Sequence, residues 1–116
     1  MLAARAYDKC ALDGVHFDLN DQDGLEHACQ RGVEMGFDGK TLIHPKQCDA
    51  ANRAFAPSEE QISDAEGIIA ANAAALAEGK GVTMFKGRLV ENLHVEAAKR
   101  TQAIARAIEE REQAWK

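Results

Sequence analysis

Two places in this sequence combine residue types that could do chemistry. The first is Ile43-His44-Pro45, where a short apolar stretch ends on an imidazole and a proline. The second is Glu91, a carboxylate between a Lys-Gly turn and a long helical stretch. An imidazole on a loop stiffened by proline can donate or accept a hydrogen bond. A carboxylate at the end of a hairpin can exchange a proton. Spacing alone leaves plainer readings open. His44 could pack or cap locally, and Glu91 could simply place negative charge at a helix N-terminus.

Other patterns fail on their own terms. Gly39-Lys40-Thr41 matches the end of a phosphate-binding loop, but Glu34 stands where that loop needs its first glycine. The tripeptide also opens a strand, whereas a phosphate loop follows one. Asp18, Asn20 and Gln22 match the start of a calcium loop, but Asp23 replaces its glycine and Cys29 its final glutamate. His16, His27, His44 and His94 have no metal-ligand spacing, so no metal ligand is assigned. There is no Gly-x-Ser-x-Gly elbow and no evident nucleophile dyad.

The elements around these candidates alternate in the first half. Leu2 to Lys9 reads as a helix tail and Ala11 to Phe17 as a strand. Asp23 to Met35 reads as a helix, with Asp23 as N-cap, Glu26 answering it, and Gly36 as the left-handed stop. Lys40 to Ile43 is a second strand, stopped by Pro45, and Lys46 to Phe55 turns helical. Helix, strand, helix, strand, helix with short connections implies parallel strands. Catalytic groups in β/α barrels sit at the C-terminal ends of strands. Here those ends are Phe17-Asp18 and Ile43-His44-Pro45.

The second half changes character. Ser58 and Gln61 form a capping box, and the helix runs to about Glu78. Its larger apolar residues, Ile62, Ile69 and Leu76, recur every seven positions with Ala65 and Asn72 between them. Val82 to Phe85 and Arg88 to Val90 flank Lys86-Gly87 as a β-hairpin. A last helix spans roughly Asn92 to Trp115, its face formed by Val95, Ala98, Gln102, Ala105 and Glu109.

Composition narrows the function classes. The chain has 116 residues and a formal net charge of −5. That balance, with scattered Lys and Arg, argues against nucleic acid. No stretch approaches the ~18 apolar residues of a membrane span, and no secretory signal opens the chain. Cys10, Cys29 and Cys48 form no Cys-x-x-Cys pair and suit a reducing, cytoplasmic setting. Ala supplies 22 residues, and Leu, Ile, Val and Phe together 23. That is a thin core for an independent unit, at the edge of compositions that stay disordered. Two strands cannot close a barrel or an open parallel sheet by themselves. The expectation is a C-terminal piece of a larger α/β protein, or a chain that completes its sheet by oligomerising.

Three runs make the sequence recognisable. They are Asp13-Gly14-Val15, then Gly36 to Gln47 (GFDGKTLIHPKQ), then Ala51 to Glu59 (ANRAFAPSE). Gly79-Lys80-Gly81 and Lys86 to Glu91 (KGRLVE) add to them. Together these resemble the C-terminal third of the citrate lyase β-subunit family (HpcH/HpaI aldolase-like), which includes malyl-CoA and citramalyl-CoA lyases. The resemblance implies the last two strands of a TIM (β/α)8 barrel over residues 1–56. It implies a helical lid with a small β-hairpin over 57–116. It also implies a homotrimer, or higher homo-oligomer, of the full-length protein.

The implied activity is that of a carbon–carbon lyase acting on a 3-hydroxyacyl thioester of malyl-CoA, citramalyl-CoA or citryl type. The products are an acetyl thioester and a 2-oxo acid. Relatives use Mg²⁺ and an arginine to stabilise the enolate; no residue here matches the metal ligands or that arginine. Glu91 matches the lid acid that exchanges a proton with the acetyl carbon, where many relatives carry aspartate. Ile43 and His44 match the pair that contacts the CoA thioester, with Pro45 fixing the loop. The 116 residues alone are therefore expected to be inactive. The alternatives are a non-catalytic, partner-binding or regulatory module derived from this family, and a Mg²⁺-dependent aldolase acting on free acids.

Overall fold

A helix starts where a side chain can satisfy its first free N–H groups. In the computed structural model, which describes Met1 to Lys116, the second helix starts on Asp21. Its carboxylate accepts from the Gly24 N–H at 3.0 Å, which corrects the expectation of Asp23 as cap. Gly24 is what makes room: a Cβ there would collide with the Asp21 carboxylate. Asp23 sits instead in the first turn, where its charge still favours the helix N-terminus.

The chain divides into two units, Met1–Phe55 and Ala56–Lys116. The first is α/β. Its order is α1 (Leu2–Ala6), β1 (Leu12–Asp13), α2 (Gln22–Glu34), β2 (Gly39–Lys40), a 3-10 turn (Pro45–Gln47) and α3 (Cys48–Phe55). The helix α2 ends on Gly36 at φ +88. There the Phe37 N–H donates to the Gly32 carbonyl at 3.0 Å, closing the terminus.

β1 and β2 pair in parallel, Leu12 opposite Gly39 and Asp13 opposite Lys40. Backbone bonds from Asp38 to Ala11 and from Thr41 to Asp13 extend the contact by one step on each side. The strands are far shorter than the expected Ala11–Phe17 and Lys40–Ile43. Strand geometry persists only where a neighbour accepts its hydrogen bonds, and beyond these residues the two segments bond to side chains instead. The expected helix from Lys46 likewise opens as a 3-10 turn. The core of this unit is Leu25, Cys29, Ala50 and Ala51, with Leu42, Ala54 and Phe55 against it.

The second unit is a helix–hairpin–helix: α4 (Glu59–Ala77), β3 (Thr83–Phe85), β4 (Arg88–Val90) and α5 (Asn92–Ala114). The Ser58–Gln61 capping box forms as expected, with bonds of 2.9 and 3.1 Å. The hairpin also forms, in the register Thr83 to Val90 and Phe85 to Arg88. Lys86 and Gly87 both take positive φ, as a two-residue loop between right-twisted strands requires.

The helix faces differ from expectation. On α4 the buried positions are Ala65 and Ala75, and Leu76 is 70% exposed. Ile62, Ile69 and Asn72 are half-buried as expected, Ile68 joins them, and Leu76 is the one expected position that faces solvent. Small residues let α4 lie close to α5, where Val95 and Ala98 are buried. On α5 Ile108 is half-buried, while Glu109 faces solvent. No helix is long and apolar enough to cross a membrane.

Candidate functional site

The Ile43-His44-Pro45 segment is held from within the first unit. His44 is extended (φ −150, ψ 143) and caps the 3-10 turn that Pro45 opens. Its Nδ1 accepts from the Lys46 N–H at 3.1 Å. The local-cap reading of His44 is therefore realised. It has a chemical consequence: with Nδ1 accepting, the neutral ring carries its proton on Nε2. Ile43 is half exposed, and its backbone N–H is already used.

What uses it is Gln47, a residue to which the sequence reading gave no role. The Gln47 side chain is 2% exposed. Its Oε1 accepts from the Ile43 N–H at 3.0 Å, and its Nε2 donates to the His16 carbonyl at 2.9 Å. One amide thus ties the loop after β1 to the loop after β2. A glutamine four residues past Ile43 and two past a proline was the only local signal. The partner carbonyl lies 31 residues away in sequence and could not be read from spacing.

Below these loops sits a buried charge pair. Lys40 Nζ donates to Asp13 Oδ2 at 2.9 Å, with the lysine side chain only 4% exposed. The bond from Lys40, together with one from the Gly14 N–H, holds the Asp13 carboxyl below its ordinary range despite partial burial. Cys29 is fully buried nearby, and that burial pushes its thiol up from the usual value. At the entry to β2, Arg5 grips Asp38 with two bonds of 2.8 and 3.1 Å. His16 Nε2 is buried without a hydrogen bond, 3.6 Å from Asp21 Oδ2.

Glu91 belongs to the second unit. It is the exposed N-cap residue of α5, directly after β4. Its backbone N–H donates to His94 Nδ1 at 3.0 Å, which fixes the end of the hairpin against the first turn of the helix. The adjoining groove has a volume of about 480 Å³ and is lined by Asp64, Phe85, Lys86, Arg88, Val90 and His94, among others. Lys86 pairs there with Asp64 at 2.5 Å, and that bond raises the lysine above its usual range. No group of three or more His, Cys, Asp or Glu residues is placed to hold a metal ion. Within this chain, then, no ready-made set of three such ligands is offered to magnesium.

Comparison with known proteins defines the class. The chain is 48% identical over 108 residues to a (3S)-malyl-CoA thioesterase of Cereibacter sphaeroides, covering 93% of this chain and 38% of the relative. It is 39% identical over 105 residues to the citrate lyase subunit beta of Leuconostoc mesenteroides subsp. cremoris, covering 90% of this chain and 35% of the relative. It is 38% identical over 107 residues to an L-malyl-CoA/beta-methylmalyl-CoA lyase of Cereibacter sphaeroides, covering 92% and 33%. Among solved structures, protein CitE from Mycobacterium tuberculosis, in complex with magnesium, acetoacetate and coenzyme A, matches with a TM-score of 0.68 at 33% identity. That match covers 90% of this chain and 38% of that one. No protein-family model matches the chain.

The chain is thus an α/β segment homologous to CoA-ester lyases and thioesterases. More narrowly, it is a homologue of the citrate lyase β-subunit and malyl-CoA lyase proteins, matching their C-terminal part. It spans less than two-fifths of the length of the relatives it matches.

Proposed function

We propose that this chain is the C-terminal part of a Mg²⁺-dependent CoA-ester lyase. It makes or breaks the carbon–carbon bond of a malyl-CoA, citramalyl-CoA or citryl-type thioester. The observation that carries the proposal is likeness over 93% of the chain to a protein named for malyl-CoA, with lyases matched over the same span. In this reading the first unit is the last two βα units of a TIM barrel and the second is its lid. The full-length protein is a cytoplasmic homotrimer, or higher homo-oligomer, whose partners are the CoA thioester and a 2-oxo acid.

In this reading the roles are those the family resemblance implies. Cleavage turns the 3-hydroxyl into the carbonyl of the 2-oxo acid, its proton passing to solvent, and leaves the bond's electron pair on the thioester's second carbon as an enolate. Glu91, exposed at the hairpin end, gives that carbon a proton; in the synthetic direction its carboxylate removes one. His44 offers Nε2–H, and the Ile43-His44 backbone lies beside it, as a seat for the thioester. Pro45 limits the loop's freedom. Magnesium supplies Lewis-acid stabilisation of the enolate oxygens when bound. Its ligands would come from the part of the protein outside these residues.

The 116-residue chain alone should show no turnover of malyl-CoA or citramalyl-CoA with Mg²⁺, and turnover would overturn the reading. In the full-length protein, Glu91→Ala should lower kcat by about 100-fold or more. Unchanged turnover would remove Glu91 from the mechanism. The 48% identity to a thioesterase favours a second reading, hydrolysis of the thioester. Product analysis separates the two: acetyl-CoA and glyoxylate from malyl-CoA mean cleavage, whereas free CoA and malate mean hydrolysis. A non-catalytic module derived from the family would give neither.

A further inference from the structure

We infer that Gln47 is a positioning residue that sets the backbone of Ile43 and His44 for the thioester. This rests on the reading that those two residues hold the substrate. The inference starts from a buried amide with both ends engaged. Gln47 is 2% exposed, accepts from the Ile43 N–H at 3.0 Å and donates to the His16 carbonyl at 2.9 Å.

A buried polar side chain adds little net stability over a well-packed apolar one. What it adds is direction, because both of its bonds must be made or the groups are stranded. The two ends it joins are the backbones leaving the two paired strands, so Gln47 sets the separation of the loops after β1 and β2. It also consumes the Ile43 N–H, which leaves the substrate the His44 Nε2–H and the Ile43 carbonyl. The Gln47 N–H donates back to the His44 carbonyl at 3.0 Å. The same residue therefore grips both members of the pair.

The test uses the full-length enzyme and two variants. Gln47→Met keeps the length and loses both bonds. Gln47→Asn keeps the amide but is one methylene too short to span both partners. Both should raise KM for malyl-CoA about tenfold or more, the size of a stranded buried group, with kcat changed less than threefold. Amide hydrogen exchange should quicken at Ile43 while Cys29 in α2 stays protected. Filling buried space alone would not split KM from kcat in this way.

Exchange in the wild type, with and without coenzyme A, tests the underlying reading separately. Protection over residues 43–46 on adding coenzyme A supports it, and no change there sinks it whatever the variants do. Protection in the wild type with an unchanged KM in either folded variant overturns the role of Gln47 alone. Should Gln47→Met lose protection in α2, Gln47→Asn decides.

Discussion

Up to Phe55, the side chains that tie the backbone together are polar and buried: Lys40 to Asp13, Gln47 to Ile43 and His16. From Ala56 onward they are mostly small and apolar, Ala65, Ala75, Val95 and Ala98, with Thr83 the one buried polar side chain, bonded to Asn72 at 3.4 Å. The polar side chains of the second unit mostly meet at its surface, as in the Lys86–Asp64 and Lys99–Glu96 pairs. The contrast separates two tasks. Buried polar bonds fix direction, and in the first unit they tie together the two loops after β1 and β2. Small apolar contacts bring helices close with little directional demand, and in the second unit they join α4 to α5.

The largest effect that would break this contrast comes from the buried pair. Asp13→Ala should destabilise the first unit by about 3 kcal/mol, because Lys40 is left charged and buried without its carboxylate. Amide exchange across α2 measures it. The pH dependence has a definite sign. The Asp13 carboxyl lies below its ordinary value of 3.8 in the folded chain, so its contribution is present above that value. It is lost as pH falls through the lower folded value. The wild type should weaken in that acid window, and Asp13→Ala should be flatter there.

A smaller effect tests close packing in the second unit. A Cβ on Gly67 would overlap the Phe85 ring. Alanine is the better helix former by about 1 kcal/mol, yet Gly67→Ala should cost about 1–2 kcal/mol by forcing the ring and hairpin aside. Adding Phe85→Leu should recover that cost. A stabilising Gly67→Ala would show that the hairpin is not seated on α4. The smallest effect is the cap: Ser58→Ala should cost about 1 kcal/mol in urea unfolding followed by helical circular dichroism.

What was legible in the sequence was what is local. The Ser58–Gln61 box closes within three residues, and the Lys86-Gly87 turn needs only its own two residues in positive φ. The left-handed stop at Gly36 was equally local, and the parallel order of the two strands followed from the alternation of helices and short connections. Strand length was overestimated, because it depends on a neighbour that Val15 and Ile43 do not have in this chain. The α4 face was legible as far as Asn72, but the seven-residue repeat drifts around the helix, so that Leu76 is exposed and Ala75 is buried in its place. The caps at His44 and Glu91 close within two and three residues and were within reach of the sequence, whereas the bond from Gln47 to His16 spans 31 residues and was not.

The alanine stripe has a consequence in entropy. Burying a Leu or Met freezes rotamers, whereas alanine has none to lose. Ala65, Ala75 and Ala98 are each at most 8% exposed, and they enter the helix contact without that loss. The second unit gains little from the burial of each side chain and gives up almost no side-chain freedom in return. Its order rests on helices whose backbones run close together, with the cost of assembly carried by the main chain.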